Sequence, residues 1–163
     1  MSVWSCCIAP TWTLGLGVIP MDFNAFDSVA AAERGAELHL KHPATGEPIN
    51  DEGEPCVVIV RGAEGDTAQA AIRSALRARA KASEDEDAKT LLDVHKALTD
   101  AAKPLIMGFK NINRGDKPAG LDDVDWFLNL NRINGQEGEE SFAEQINKFA
   151  TKRANYLGNG SAA

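Results

Sequence analysis

The run Pro55-Cys-Val-Val-Ile-Val-Arg61 narrows the folds open to this chain more than any other feature. β-Branched residues suit a pleated surface, and a short apolar run bounded by turn-forming residues reads as a strand. A second extended run lies upstream: Glu37-Leu-His-Leu-Lys-His42 alternates polar and apolar, with Leu38 and Leu40 on one face. Between them, residues 43–53 are rich in Pro, Gly, Asn and Asp and read as a connecting loop. The two runs predict an antiparallel hairpin. A two-stranded hairpin is marginal in water, so this one must pack on helices or on a neighbouring copy. An edge left open would invite self-association.

The remaining segments read as helices. Residues 27–34 are Ala-rich, with Gly35 as a C-terminal stop. Asp66 and Gln69 form the pattern of a capping box opening a helix over 67–82, with Ile72 and Leu76 as its apolar side. Its other face carries Arg73, Arg77, Arg79 and Lys81, and the acidic run 84–87 follows. That face is read as solvated, its basic last turns matching the helix dipole, because no aromatic residues are interleaved to make a nucleic-acid stripe. A further helix over 87–102 places Leu91, Val94, Leu98 and Ala101 at spacings of three and four. Pro104 interrupts it, and residues 105–109 are expected to continue as a kinked, buried helix. After a loop over 111–119, a short helix at 121–130 turns Val124, Phe127 and Leu128 inward. After another loop, Ser141 and Glu144 form a capping box for an amphipathic helix running toward Asn159, with Phe142, Ile146, Phe149 and Tyr156 near one stripe. The fold class expected is α+β: an N-terminal β-hairpin or small antiparallel sheet followed by a mainly α-helical bundle.

A length of 163 residues fits one domain. Residues 1–20 contain no charged side chain, whereas ordinary charge density begins after Met21. Pro10, Pro20, Gly15 and Gly17 interrupt any helix there, and the stretch lacks the basic start of a secretory signal and the uninterrupted length of a membrane span. It is read as an apolar N-terminal extension outside the fold, upstream of a start at Met21, with residues 21–163 as a single domain. The competing reading is an exposed tail that grips a partner. A net charge of −7 argues against phosphate-backbone binding as the main task and suits solubility or a basic partner. Cys6, Cys7 and Cys56 are odd in number and two are adjacent, so no disulfide framework is implied and a reducing cytoplasm is the natural setting.

No motif in the chain carries chemistry. His39 and His42, three apart near a strand end, fall on opposite faces, and His95 sits among Asp93, Lys96 and Asp100. All three are read as surface or boundary residues. Asp122, Asp123 and Asp125 lack the alternating ligands, central Gly and distal Glu of a calcium loop. The turn Gly62-Ala-Glu-Gly65 precedes a helix start but lacks the Walker lysine and the full Gly-x-Gly-x-x-Gly pattern, and Asp66 would repel an anion. The expectation is therefore no catalytic, cofactor-binding or metal residues, no cofactor, and no enzyme.

Three segments carry a resemblance. Residues 25–49 combine Phe26-Asp27, an Ala-rich stretch, Gly35-Ala-Glu37 and Pro43-Ala-Thr-Gly-Glu-Pro48; Gly108-Phe-Lys-Asn-Ile112 has a Gly-aromatic-x-Asn form; Arg153-Ala-Asn-Tyr-Leu157 closes the last helix. Together they make residues 23–159 similar to the tail assembly chaperones of long-tailed bacteriophages. The resemblance implies a protein that coats the tape-measure protein, recruits tail-tube protein and leaves before maturation, acting in the host bacterial cytoplasm. Its expected partners are those two proteins, with self-association as a further option, and no nucleic acid and no membrane. The docking surface would come from Phe142, Ile146, Phe149 and Tyr156, or from the strands around Val57 and Ile59; each of these residues singly is read as filling the chain's own core. The alternative is a structural virion protein, a minor tail or head–tail connector component, and a third reading is a small cytoplasmic enzyme or regulator.

Overall fold

The structure, a computed structural model, describes residues 23–82 and 91–157. The apolar stretch 1–20 and the acidic run 84–87 lie outside the described residues, as do the side chains of Leu76, Arg77, Arg79 and Lys81. The strands are β1 (Ala36–His39), β2 (Asn50–Asp51), β3 (Glu54–Pro55), β4 (Val57–Val60), β5 (Ile106–Lys110), β6 (Asn113–Arg114) and β7 (Lys117–Pro118). The helices are α1 (Ser28–Arg34), α2 (Asp66–Ala82), α3 (Leu91–Ala102), α4 (Val124–Leu128) and α5 (Phe142–Ala150). The fold is α+β.

The expected hairpin forms. β1 pairs antiparallel with β4, Ala36 opposite Val60 and His39 opposite Val57. Within the long connection, β2 and β3 make a small two-stranded ribbon, and Lys41 bridges to Pro48.

The sheet has a third strand that the sequence reading places in a helix. Residues 105–109 do not continue α3: Pro104 sits in a 3-10 turn over Lys103–Leu105, Ile106 is extended (φ −80°, ψ 124°), and β5 pairs antiparallel with the second edge of β4. The order is β1-β4-β5. The physical reason is the row of unpaired N–H and C=O groups that β4 would otherwise present. Arg61 N donates to Leu105 O at 2.7 Å, and the ladder then runs to Val57 opposite Lys110. The register skips Met107 between Ile59 and Val60, a β-bulge that lets Gly108 face Ile59. Burial of this segment is partial: Leu105 and Ile106 are buried, and Met107 to Phe109 are half-buried.

α1 is capped by the Asp27 side chain, which accepts from Ala30 N, and stops at Gly35 with φ +74°. Gly35 is required for space as well as dihedral: a Cβ there would stand 2.7 Å from Met107 Sδ and 3.1 Å from Val60 O. α2 starts as expected but by a different cap. Asp66 is already helical, Gln69 N donates to Gly65 O, and the Gln69 side chain turns back to Ala63 O, so the Asp66–Gln69 box does not form.

α5 has the Ser141–Glu144 capping box in full, with Ser141 N donating to Glu144 Oε2 at 2.8 Å and Glu144 N to Ser141 Oγ at 3.3 Å. It ends sooner than expected. The helix closes at Ala150 and gives way to a 3-10 turn over Arg153–Asn155, because the Phe149 carbonyl accepts from Lys152 N at 3.2 Å and from Asn155 Nδ2 at 2.9 Å, which turns the chain back. Tyr156 therefore does not continue the stripe of Phe142, Ile146 and Phe149; it packs edge-on to Phe149 at 5.9 Å.

The core lies between one face of the sheet and the helices. Val58, Val60, Leu128 and Ile146 are fully buried, and Phe127 stacks on Phe142 (4.9 Å, 6° between planes) and meets Phe109 edge-on at 5.1 Å. The inward side of α4 is Phe127 and Leu128, with half-buried Val124 against the core, as its sequence pattern predicts.

Candidate functional site

Several side chains with hydrogen-bonding capacity are spent on holding elements together. The turn Gly62–Gly65 before α2 is closed to anions by the protein itself. Glu33, from α1, accepts from Thr67 N at 2.7 Å and pairs with Arg61 Nε at 3.1 Å. A carboxylate at a helix N-terminus satisfies a free N–H and complements the dipole. Gly65 makes room for it, since a Cβ would meet Glu33 Oε1 at 2.7 Å. Gln145, buried on α5, does comparable work for the sheet: Lys41 N donates to its Oε1 at 3.0 Å and its Nε2 donates to Lys41 O at 2.9 Å. The side-chain amide thus pairs with the residue just beyond β1 as a neighbouring strand would.

Helix α1 and the segment after α5 meet in a shallow cleft around Gly62. Ser28 and Ala32 of α1 form one wall, and Arg153 and Tyr156 the other. Gly62 N donates to Ala32 O at 2.9 Å, and Arg153 pairs with Glu64 through Nε at 2.9 Å. The Arg153 guanidinium, then the Ser28 hydroxyl, hold the Glu64 carboxyl below its usual range. Tyr156 buries its hydroxyl here with no protein partner, and burial pushes its ionisation upward.

The other unusual surface is α3. Its buried residues are His95, Thr99 and Ala102, while Leu91, Leu92 and Val94 are exposed. This corrects two expectations. His95 is a core residue, only 3% exposed, rather than a surface or boundary one, and the apolar stripe Leu91, Val94, Leu98 and Ala101 is not the buried face. The helix is turned so that only Leu98 of that stripe reaches the core, because Asn147 of α5 anchors its backbone by donating to Leu98 O at 3.0 Å. Neither ring nitrogen of His95 nor Thr99 Oγ1 has a protein hydrogen-bond partner.

The remaining sites singled out by sequence separate. His39 is exposed on β1, and His42 accepts the N–H groups of Ala44 and Thr45 at its Nδ1, each at 3.3 Å, which fixes a turn. Asp123 accepts from Arg114 at 2.6 Å and from Gly120 N at 3.0 Å, whereas Asp125 pairs with Lys103 at 2.6 Å. Cys56 is buried, its thiol donates to Asn111 O at 3.1 Å, and desolvation pushes its pKa upward. No group of three or more His, Cys, Asp or Glu side chains among the described residues is placed to share a metal ion.

No protein-family model, curated protein or solved structure matches this chain. Among the described residues, no helix is long and apolar enough to cross a membrane. Of the residues considered for docking, Phe142, Ile146 and Val57 fill the chain's own interior, and Phe149, Tyr156 and Ile59 are half-buried. Sequence reasoning missed His95, Thr99, Gln145 and Glu33. Polar residues on otherwise amphipathic segments were the available signal, but periodicity assigns such residues to the outside.

Proposed function

We propose that this protein is a bacteriophage tail assembly chaperone. It binds the tape-measure protein in the host bacterial cytoplasm, promotes growth of the tail tube around it and leaves before the particle matures. The reading is non-enzymatic, and its partners are the tape-measure and tail-tube proteins.

One observation supports it above the resemblance alone. The resembling segments lie far apart in sequence, yet the Ala-rich segment at Ser28 and Ala32 packs against the segment at Arg153 and Tyr156 across Gly62. The third segment, Gly108 to Ile112, begins in β5, and Asn111 ties it to the end of β3 by donating to Pro55 O at 3.2 Å. Residues that share one packed architecture are what a common fold would require together. In addition, α3 exposes apolar side chains on a chain of net charge −7, a combination that serves transient association better than chemistry.

The test is peptide mass spectrometry of purified particles beside an infected-cell lysate, with co-purification of the tape-measure protein from the lysate. Peptides spanning 141–157 in the lysate alone, together with tape-measure protein, are the expected result. Strong recovery from mature particles overturns it in favour of a structural virion protein.

A further inference from the structure

Two stripes run along α3, and the less suitable one faces in. His95, Thr99 and Ala102 are buried, which leaves three polar atoms without partners in the interior, whereas Leu91 and Val94 stand 56% and 39% exposed. An unpaired buried polar group loses its hydration and gains nothing in return, and an exposed leucine forgoes its transfer free energy. Both losses arise on α3, whose buried side also carries Leu98 and Ala102 and is tied to α5 through the Leu98 carbonyl. The core cluster that Ala102 joins and Leu98 packs against includes Ala143, Ile146 and Ala150 of α5. Asn147 donates across to the Leu98 carbonyl at 3.0 Å while also bonding Ala143 O at 2.8 Å in its own helix. A bond to backbone is indifferent to side-chain identity, so another helix could receive it.

We propose that α3 is a displaceable occupant of the α5 groove, and that the groove binds an amphipathic helix from a partner with apolar residues at the positions now held by His95, Leu98, Thr99 and Ala102. Such a helix repeats the spacing i, i+3, i+4, i+7 without the orphaned imidazole and hydroxyl, and so competes with α3 for the same surface. Displacement frees α3 with Leu91 and Val94. The assignment of that helix to the tape-measure protein rests on the chaperone reading; the displacement itself does not.

The probe is a labelled peptide of residues 91–102 carrying His95→Leu and Thr99→Val, held helical by a staple between positions 93 and 97, both of which are exposed in the protein. It is titrated against the full chain by fluorescence anisotropy, and amide exchange is followed by mass spectrometry. The peptide is expected to bind, to speed exchange in α3 and to leave α5 protected. Against a full chain carrying the same two substitutions, whose own α3 then fits the groove, binding should weaken by about tenfold or more. That double variant should also melt several degrees higher than the unaltered chain. Absence of binding, equal binding to both chains, unchanged exchange in α3, or a double variant that melts lower or does not fold overturns the proposal. If the peptide results hold and tape-measure protein is not recovered from infected cells, the chaperone reading fails and the helix-binding groove stands.

Discussion

At Tyr156 a hydroxyl is buried without a protein partner, so the oxygen contributes desolvation cost and no bond. Tyr156→Phe keeps the ring against Phe149 and Gly62 and is expected to leave stability at pH 7 unchanged or to raise it by up to about 1 kcal/mol. The pH dependence has a definite sign. Burial raises the phenol's pKa in the folded chain above its ordinary value of 10.0, so the unfolded chain gives up this proton first. Stability is therefore intact below about pH 10 and falls as pH rises beyond it, and Tyr156→Phe should flatten that alkaline limb in urea melts run from pH 7 to 11. The two glycines of the neighbouring turn separate on similar grounds. At Gly62 a methyl group would stand 2.6 Å from Ala32 Cβ and 3.1 Å from its Cα, neither of which can move without the α1 backbone, whereas at Gly65 it meets the carboxylate end of Glu33. Gly62→Ala should cost about 1–3 kcal/mol by overpacking, and Gly65→Ala less, because Glu33 can swing aside. Equal losses for the two in chemical denaturation would contradict that ordering.

Among the elements, α5 does most to join sheet and helices, through Gln145. Removing its amide by Gln145→Ala leaves the N–H and C=O of Lys41 unpaired at a part-buried site, and unfolding in urea should show a loss of about 1 kcal/mol. A loss below a few tenths would mean that water replaces the amide. What was legible here divides by range. The β1–β4 pairing could be read because alternation at Leu38 and Leu40 and the β-branched run at Val57 to Val60 are local patterns, and the Ser141–Glu144 cap because both partners lie within one turn. The Ile106 to Lys110 segment could not. Ile, Met, Gly and Phe in a run of five fit a helix or a strand, and the open edge of β4, a tertiary fact, decides. The end of α5 was likewise set by Asn155 reaching back to Phe149 O, and the rotation of α3 by Asn147 reaching the Leu98 carbonyl, 49 residues away in sequence. Periodicity ranks faces by hydrophobicity, so it pointed to Leu91 and Val94 and could not report that His95 and Thr99 lie inside.

Over the whole molecule, the fold is closed by elements from opposite ends of the described chain. α1 is held on one side by Glu33 at the start of α2 and on the other by the segment after α5, through Tyr156 against Gly62 and Arg153 on Glu64. The central strand β4 and the Phe127–Phe142 stack lie at the interior and depend on neither contact. Stability should therefore be graded, with α1 opening before the core. The ion pair adds an acid dependence of known sign. Glu64 is depressed below its ordinary 4.5, first by Arg153, so this contribution is present above that pH and is lost as pH falls below it. Deleting residues 152–163 removes the outer side of the clasp and keeps the Glu33 contacts. Amide exchange in α1 and at Gly62 should then rise by about tenfold or more, while β4 and α5 keep their protection. Phe127→Ala, which opens the central stack, should instead lower protection in every element together and cost about 3–5 kcal/mol. If the deletion lowers protection uniformly as Phe127→Ala does, the C-terminal segment belongs to the cooperative core; if α1 stays protected, the Glu33 contacts and the Gly62 N–Ala32 O bond hold it, and the segment after α5 contributes little.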